Sequence, residues 1–139
     1  MQKWILFLTC FFILNLFVSI SKATTNQACQ VYFKHNSSLL TPEAILVIND
    51  NVLKIREISP NELIIIGHAD RKGNSKYNQV LSEDRTQSVA DYLRKSLKSE
   101  HYNIKLKSYG EYNLPYPTRD GVPEPLNRCV KILIISNQR

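Results

Sequence analysis

The apolar residues of the chain fall into runs with different periods, and each period predicts a different element. The first run, Trp4 to Ile20, is continuous apart from Thr9, Asn15 and Ser19. Lys3 precedes it, and Ser21-Lys22-Ala23 follows with small residues three and one before a cut after Ala23. A basic start, an apolar middle and a small-residue exit are the marks of a secretory signal peptide. The alternative is an uncleaved anchor, because 17 residues is the lower limit for spanning a bilayer. The good exit site favours cleavage. This reading divides the chain into a signal at 1–23, a short polar leader at 24–29, of which 24–28 is expected to be disordered, and one domain at 30–139.

Within that domain, Gln30 to Lys34 is rich in β-formers and predicts a strand. Asn36-Ser37-Ser38 breaks it. This is formally a glycosylation sequon, read here as turn chemistry. Thr41-Pro42-Glu43 is a helix start: a hydroxyl cap, proline at the first helical position and an acid in the first turn. Apolar residues then recur at Ile45, Ile48, Val52 and Ile55, three and four apart, until Ser59-Pro60-Asn61. Leu63 to Ile66 is an unbroken apolar run, which predicts a strand buried on both faces. A polar loop with Gly73 leads to a second helix, from about Lys76 to Leu97, with Tyr77, Leu81, Val89, Leu93 and Leu97 at helical spacing. Ile104 to Tyr109 alternates like a strand with one wet face, and Val130 to Ile135 is the last strand. Between them, Pro115, Pro117, Pro123 and Pro125 stiffen a loop. The order β-α-β-α-β-loop-β predicts an α+β sandwich, one mixed four-stranded sheet with helices packed on it.

Charge and cysteine content refine this picture. The 139 residues carry a net charge of +6. Lys3 and Lys22 belong to the signal, so the remainder is +4. That charge is moderate and diffuse. It suits an anionic wall or membrane surface and does not make a nucleic-acid site. Cys10 lies inside the apolar run, where lipid attachment does not occur. Cys29 and Cys129 then remain, one before the first strand and one before the last. In an exported domain such a pair is expected to be a disulfide, with two separate buried thiols as the alternative. A bridge closing so long a loop would contribute roughly 4–5 kcal/mol.

Candidate chemistry concentrates after the buried strand. Asp70 stands just past its C-terminal end, and Asn78, Leu81 and Arg85 share one face of the following helix. If that face looks toward the strand end, a carboxylate and a guanidinium flank one cleft. Such a pair suits a zwitterion, Asp70 taking an ammonium and Arg85 a carboxylate. From charge and spacing alone, the plainer reading is that Asp70 and Arg85 pair with each other or cap loops. An enzyme is not indicated. His35, His68 and His101 are scattered rather than set at metal-ligand spacing, and no nucleophile motif is present. No cofactor is expected.

These residues stand in the order of a known family. The chain resembles the OmpA-like peptidoglycan-binding domain of outer-membrane protein A, the peptidoglycan-associated lipoprotein and the flagellar motor protein B. The resemblance rests on Val31-Tyr32-Phe33 and Ser38 to Glu43, then Ile66-Gly67-His68-Ala69-Asp70 with Gly73. It continues through Tyr77-Asn78-x-x-Leu81-Ser82-x-x-Arg85, Tyr109-Gly110-Glu111, Pro115 and Asn127-Arg128-x-Val130. It implies a periplasmic or outer-membrane-associated protein of a Gram-negative envelope that binds peptidoglycan without covalent chemistry, through the diaminopimelate of the stem peptide. On the matching positions Asp70 would hold the ammonium and Arg85 the carboxylate, with Asn78 and the Ala69 backbone in support. An envelope protein partner without wall binding is the alternative. Thr86 stands where relatives often have alanine, and Cys129 where many have a second arginine.

Overall fold

The computed structural model describes residues 23–98 and 102–137, with side chains over 30–98 and 102–136. The apolar run and its exit site up to Lys22 lie outside the described residues, as does His101. The elements are β1 (Ala23–Tyr32), α1 (Pro42–Ile58), β2 (Glu62–Gly67), α2 (Ser75–Leu97), β3 (Asn103–Ser108) and β4 (Cys129–Asn137). A short 3₁₀ turn, Pro125–Asn127, precedes β4. This is the expected α+β order.

Local signals set the helix ends. Thr41 caps α1, its hydroxyl accepting from the Ala44 N–H, and Pro42 opens the helix where no N–H partner is needed. Ser59 closes it in the left-handed region, its N–H donating to the Ile55 carbonyl. Asn74 caps α2 by accepting from the Lys76 and Tyr77 N–H groups.

The strands form one mixed sheet in the order β1-β4-β2-β3. β2 and β3 are parallel, joined by α2 as the crossover. β4, last in sequence, inserts between β1 and β2 and runs antiparallel to both. Val31, Leu63, Ile65, Val130, Ile132 and Ile134 from the sheet close one core with Ile48, Val52 and Ile55 of α1 and Val89, Leu93 and Leu97 of α2. Each such side chain contributes about 1.5–3 kcal/mol by leaving water.

Three expectations are corrected here. Residues 24–28, read as a disordered leader, continue β1, with Ala23 opposite Asn137 and Ala28 opposite Ile132. β2 is not buried on both faces. Leu63 and Ile65 face the helices, while Ile64 and Ile66 are half-buried on the other side. No helix is needed there, because Lys105, Lys107 and Lys131 stand beside them in the neighbouring strands, and lysine stems shield apolar surface while their heads stay wet. The Cys29–Cys129 bridge is also absent. Cys129 is a free, buried thiol, and the register pairs it with Tyr32, three residues beyond Cys29. Three strand residues span about 10 Å, outside disulfide reach. The Cys29 side chain lies outside the described residues.

Candidate functional site

The site forms where β2 ends. Gly67 lets α2 approach the strand: a Cβ there would lie inside contact distance of Thr86 Oγ1 and the Ser82 carbonyl oxygen. Thr86, the departure from alanine, uses its hydroxyl to bond the Ser82 carbonyl at 2.8 Å and Ser108 Oγ at 3.1 Å. The close approach carries the Asn78-Leu81-Arg85 face of α2 to the end of β2. All three residues are buried. Backbone bonds then hold the next residues: His68 N–H donates to the Cys129 carbonyl and Ala69 N–H to the Gly110 carbonyl.

Asp70 is nearly buried, 4% exposed, and its Oδ2 accepts from Arg128 Nη1 at 3.3 Å. Oδ1 carries no bond among the described residues. Asp70 lines a cavity of about 240 Å³ with His35, Asn36, Lys72, Gly73, Tyr77, Asn78 and Leu81. Asn78 Nδ2 donates to Glu111 Oε2 at 2.7 Å and to the Lys72 carbonyl at 3.2 Å, which ties the loop after β2 to the loop after β3. Tyr77 hydroxyl donates to Asn36 Oδ1 and links the cavity's two walls. Larger clefts lie between α2 and β3, around Gln79 and Thr86, and between Arg71 and Pro117. Neither includes Asp70.

Arg85 is fully buried and does not line the cavity. Its guanidinium donates to the backbone carbonyls of Ser37 (2.9 Å), His68 (3.1 Å) and Lys34 (3.1 Å), and lies over the Phe33 ring. Lys34 and Ser37 bracket His35 and Asn36, so Arg85 stands behind that cavity wall. Burial pushes its pKa down to about 10, and the facing Asp70 charge opposes the fall. It therefore stays charged at neutral pH. Three of its five N–H donors are spent on carbonyls.

The structure thus brings Asp70 and Asn78 to one cavity with Arg85 directly behind it, and no direct Asp70–Arg85 ion pair forms. Ala69 is buried, and its N–H is already taken by Gly110. Arg128, the partner of Asp70, was missed as a site residue. The closing Asn127-Arg128 motif was the signal that could have found it, as Tyr109-Gly110-Glu111 was for Glu111. His68 is buried against Tyr109, and burial, with Lys131 nearby, pushes its pKa down to about 4. His35 reaches the cavity wall apart from it. No group of His, Cys, Asp and Glu among the described residues could hold a metal.

Comparison with known proteins places this fold. A model of the OmpA family matches residues 32–128. Over 86 residues the chain is 36% identical to outer membrane protein A of Salmonella typhi, covering 60% of this chain and 24% of that relative. The match therefore spans about a quarter of the relative's length. The fold is similar to the OmpA-like domain of FopA1 from Francisella tularensis, with a TM-score of 0.61 at 22% identity over 90% of this chain and 88% of that one. It is also similar to the peptidoglycan-associated lipoprotein of Burkholderia pseudomallei, with a TM-score of 0.63 at 19% identity over 77% and 89% of the two chains.

Proposed function

Because the chain belongs to the OmpA family, we propose that it binds peptidoglycan non-covalently in the cell envelope, holding the diaminopimelate end of the stem peptide. The observation that carries this reading is the Asp70 carboxylate, one oxygen fixed by Arg128 and the other without a partner among the described residues, in an open cavity. Asp70 would take the ammonium of the ligand, with the Asn78 side chain beside it. Arg85 would take the carboxylate with its two remaining N–H groups once the 34–37 wall shifts to admit it. Ala69 would contribute through backbone shape rather than its N–H. The activity is binding; no bond is made or broken. A filled cleft would instead favour a module that docks on another envelope protein. The Asp70–Arg128 pair leans that way, but the open cavity favours the wall.

The test is co-sedimentation of the purified protein with isolated sacculi, beside Asp70→Asn. Wild type should pellet, and Asp70→Asn should remain in the supernatant while circular dichroism shows it folded. Folded wild type that stays in the supernatant would end the wall-binding reading and turn the search to protein partners. An Asp70→Asn variant that pellets like wild type would move the site elsewhere.

A further inference from the structure

The charges around the cavity do not balance, and among the residues that line it Lys72 is the one lysine or arginine. Arg85 and Arg128 are engaged by protein groups, and the Glu111 carboxylate is held by Asn78. Arg71, next to Asp70, is turned away into an ion pair with Asp120 at 2.7 Å and a bond to the Thr118 carbonyl. Lys72 differs from all of these. It lines the cavity and is exposed, and its side chain has no ion pair or hydrogen bond among the described residues. Its backbone is fixed: the carbonyl accepts from Asn78, Gly73 follows in the left-handed region, and Asn74 then caps α2.

A zwitterion held between Asp70 and Arg85 is neutral and leaves Lys72 uncompensated. Resting on the wall-binding reading above, we propose that Lys72 is a specificity residue that meets a second carboxylate on the ligand. The site then selects a stem peptide whose residue next to the diaminopimelate keeps a free α-carboxylate. A γ-linked glutamyl residue has such a group, since its side-chain carboxyl makes the peptide bond. Amidation of that carboxylate would remove the partner of Lys72.

The experiment is calorimetric titration at low salt with γ-glutamyl-diaminopimelate and with its α-amide. Wild type should favour the acid over the amide by about two- to five-fold, the range for a solvent-exposed ion pair, and added salt should erode the preference. Lys72→Gln should bind acid and amide equally, and Lys72→Arg should keep the preference. The acid-to-amide ratio is the readout, because a change of cavity shape weakens both ligands together. Equal binding of acid and amide by wild type would overturn the proposal alone, as would a preference that survives in Lys72→Gln. Binding of neither ligand by wild type would remove the wall-binding reading and this proposal with it.

Discussion

Replacing Arg85 by alanine tests whether this residue holds the fold together as well as serving the site. Its loss leaves the buried His68 carbonyl without a donor, a cost of about 1–3 kcal/mol. The Lys34 and Ser37 carbonyls are only partly buried and can turn to water, so each loses about 0.5–1.5 kcal/mol. Losing the contact over Phe33 removes about 1 kcal/mol more. The opposing term is relief of a buried charge. Burial pulls the folded pKa down to about 10 from the ordinary guanidinium range, and at about 1.4 kcal/mol per pH unit the relief is ~3 kcal/mol. The net expectation is a loss of about 2 kcal/mol, or a fall of roughly 10 °C in Tm for a domain of this size. Thermal unfolding at pH 7 followed by circular dichroism measures it. Arg85→Met fills the volume without supplying donors and should recover part of the loss. A Tm within about 2 °C of wild type for Arg85→Ala would refute the reasoning, since three carbonyls cannot lose their donors without cost in a packed wall. Binding assays on Arg85 variants should therefore be read beside their unfolding curves.

Other consequences are open to measurement. His68 is neutral in the fold down to about pH 4, whereas the unfolded chain takes up its proton near pH 6.5. Its contribution to stability is therefore full above pH 6.5 and falls as pH drops toward 4, by up to about 3 kcal/mol. His68→Phe, which keeps a ring against Tyr109, should lose less Tm between pH 7 and pH 4.5 than wild type. Parallel losses in the two proteins would contradict the burial argument. Gly67→Ala drives a methyl into Thr86 and the Ser82 backbone and should cost about 3 kcal/mol in chemical denaturation; a midpoint equal to wild type would show that α2 does not press on β2. Burial pushes the Cys129 thiol up to about 11, so a thiol reagent at pH 8 should modify it only after denaturant is added. If neither Cys29 nor Cys129 reacts until a reductant is supplied, the strand register described above is wrong.

Much of the architecture was legible along the chain because its causes are local. Thr41-Pro42-Glu43 carries its own cap, the three-and-four spacing of Ile48, Val52 and Ile55 makes one helix face, and four proline residues keep the segment before β4 out of a long helix. The Gly-His-Ala-Asp element and the Asn-x-x-Leu-Ser-x-x-Arg face could be read as parts of one site, since strand end and helix are joined by a short loop. The polar stretch before Gln30 gave no strand signal. Its pairing with β4 depends on a neighbour more than a hundred residues away.

The amino-acid sequence by itself determined the elements, their order and the chemical types gathered near Asp70. Tertiary structure decided who partners whom. Asp70 meets Arg128 across a separation of 58 residues, and Arg85 meets the carbonyls of Lys34 and Ser37 across 51 and 48. Those meetings exist only because β4 inserts between β1 and β2 and brings its leading Arg128 to the cavity end of the sheet. Strand order is set by the burial of the whole apolar core, a sum over distant side chains, so no local pattern encodes it.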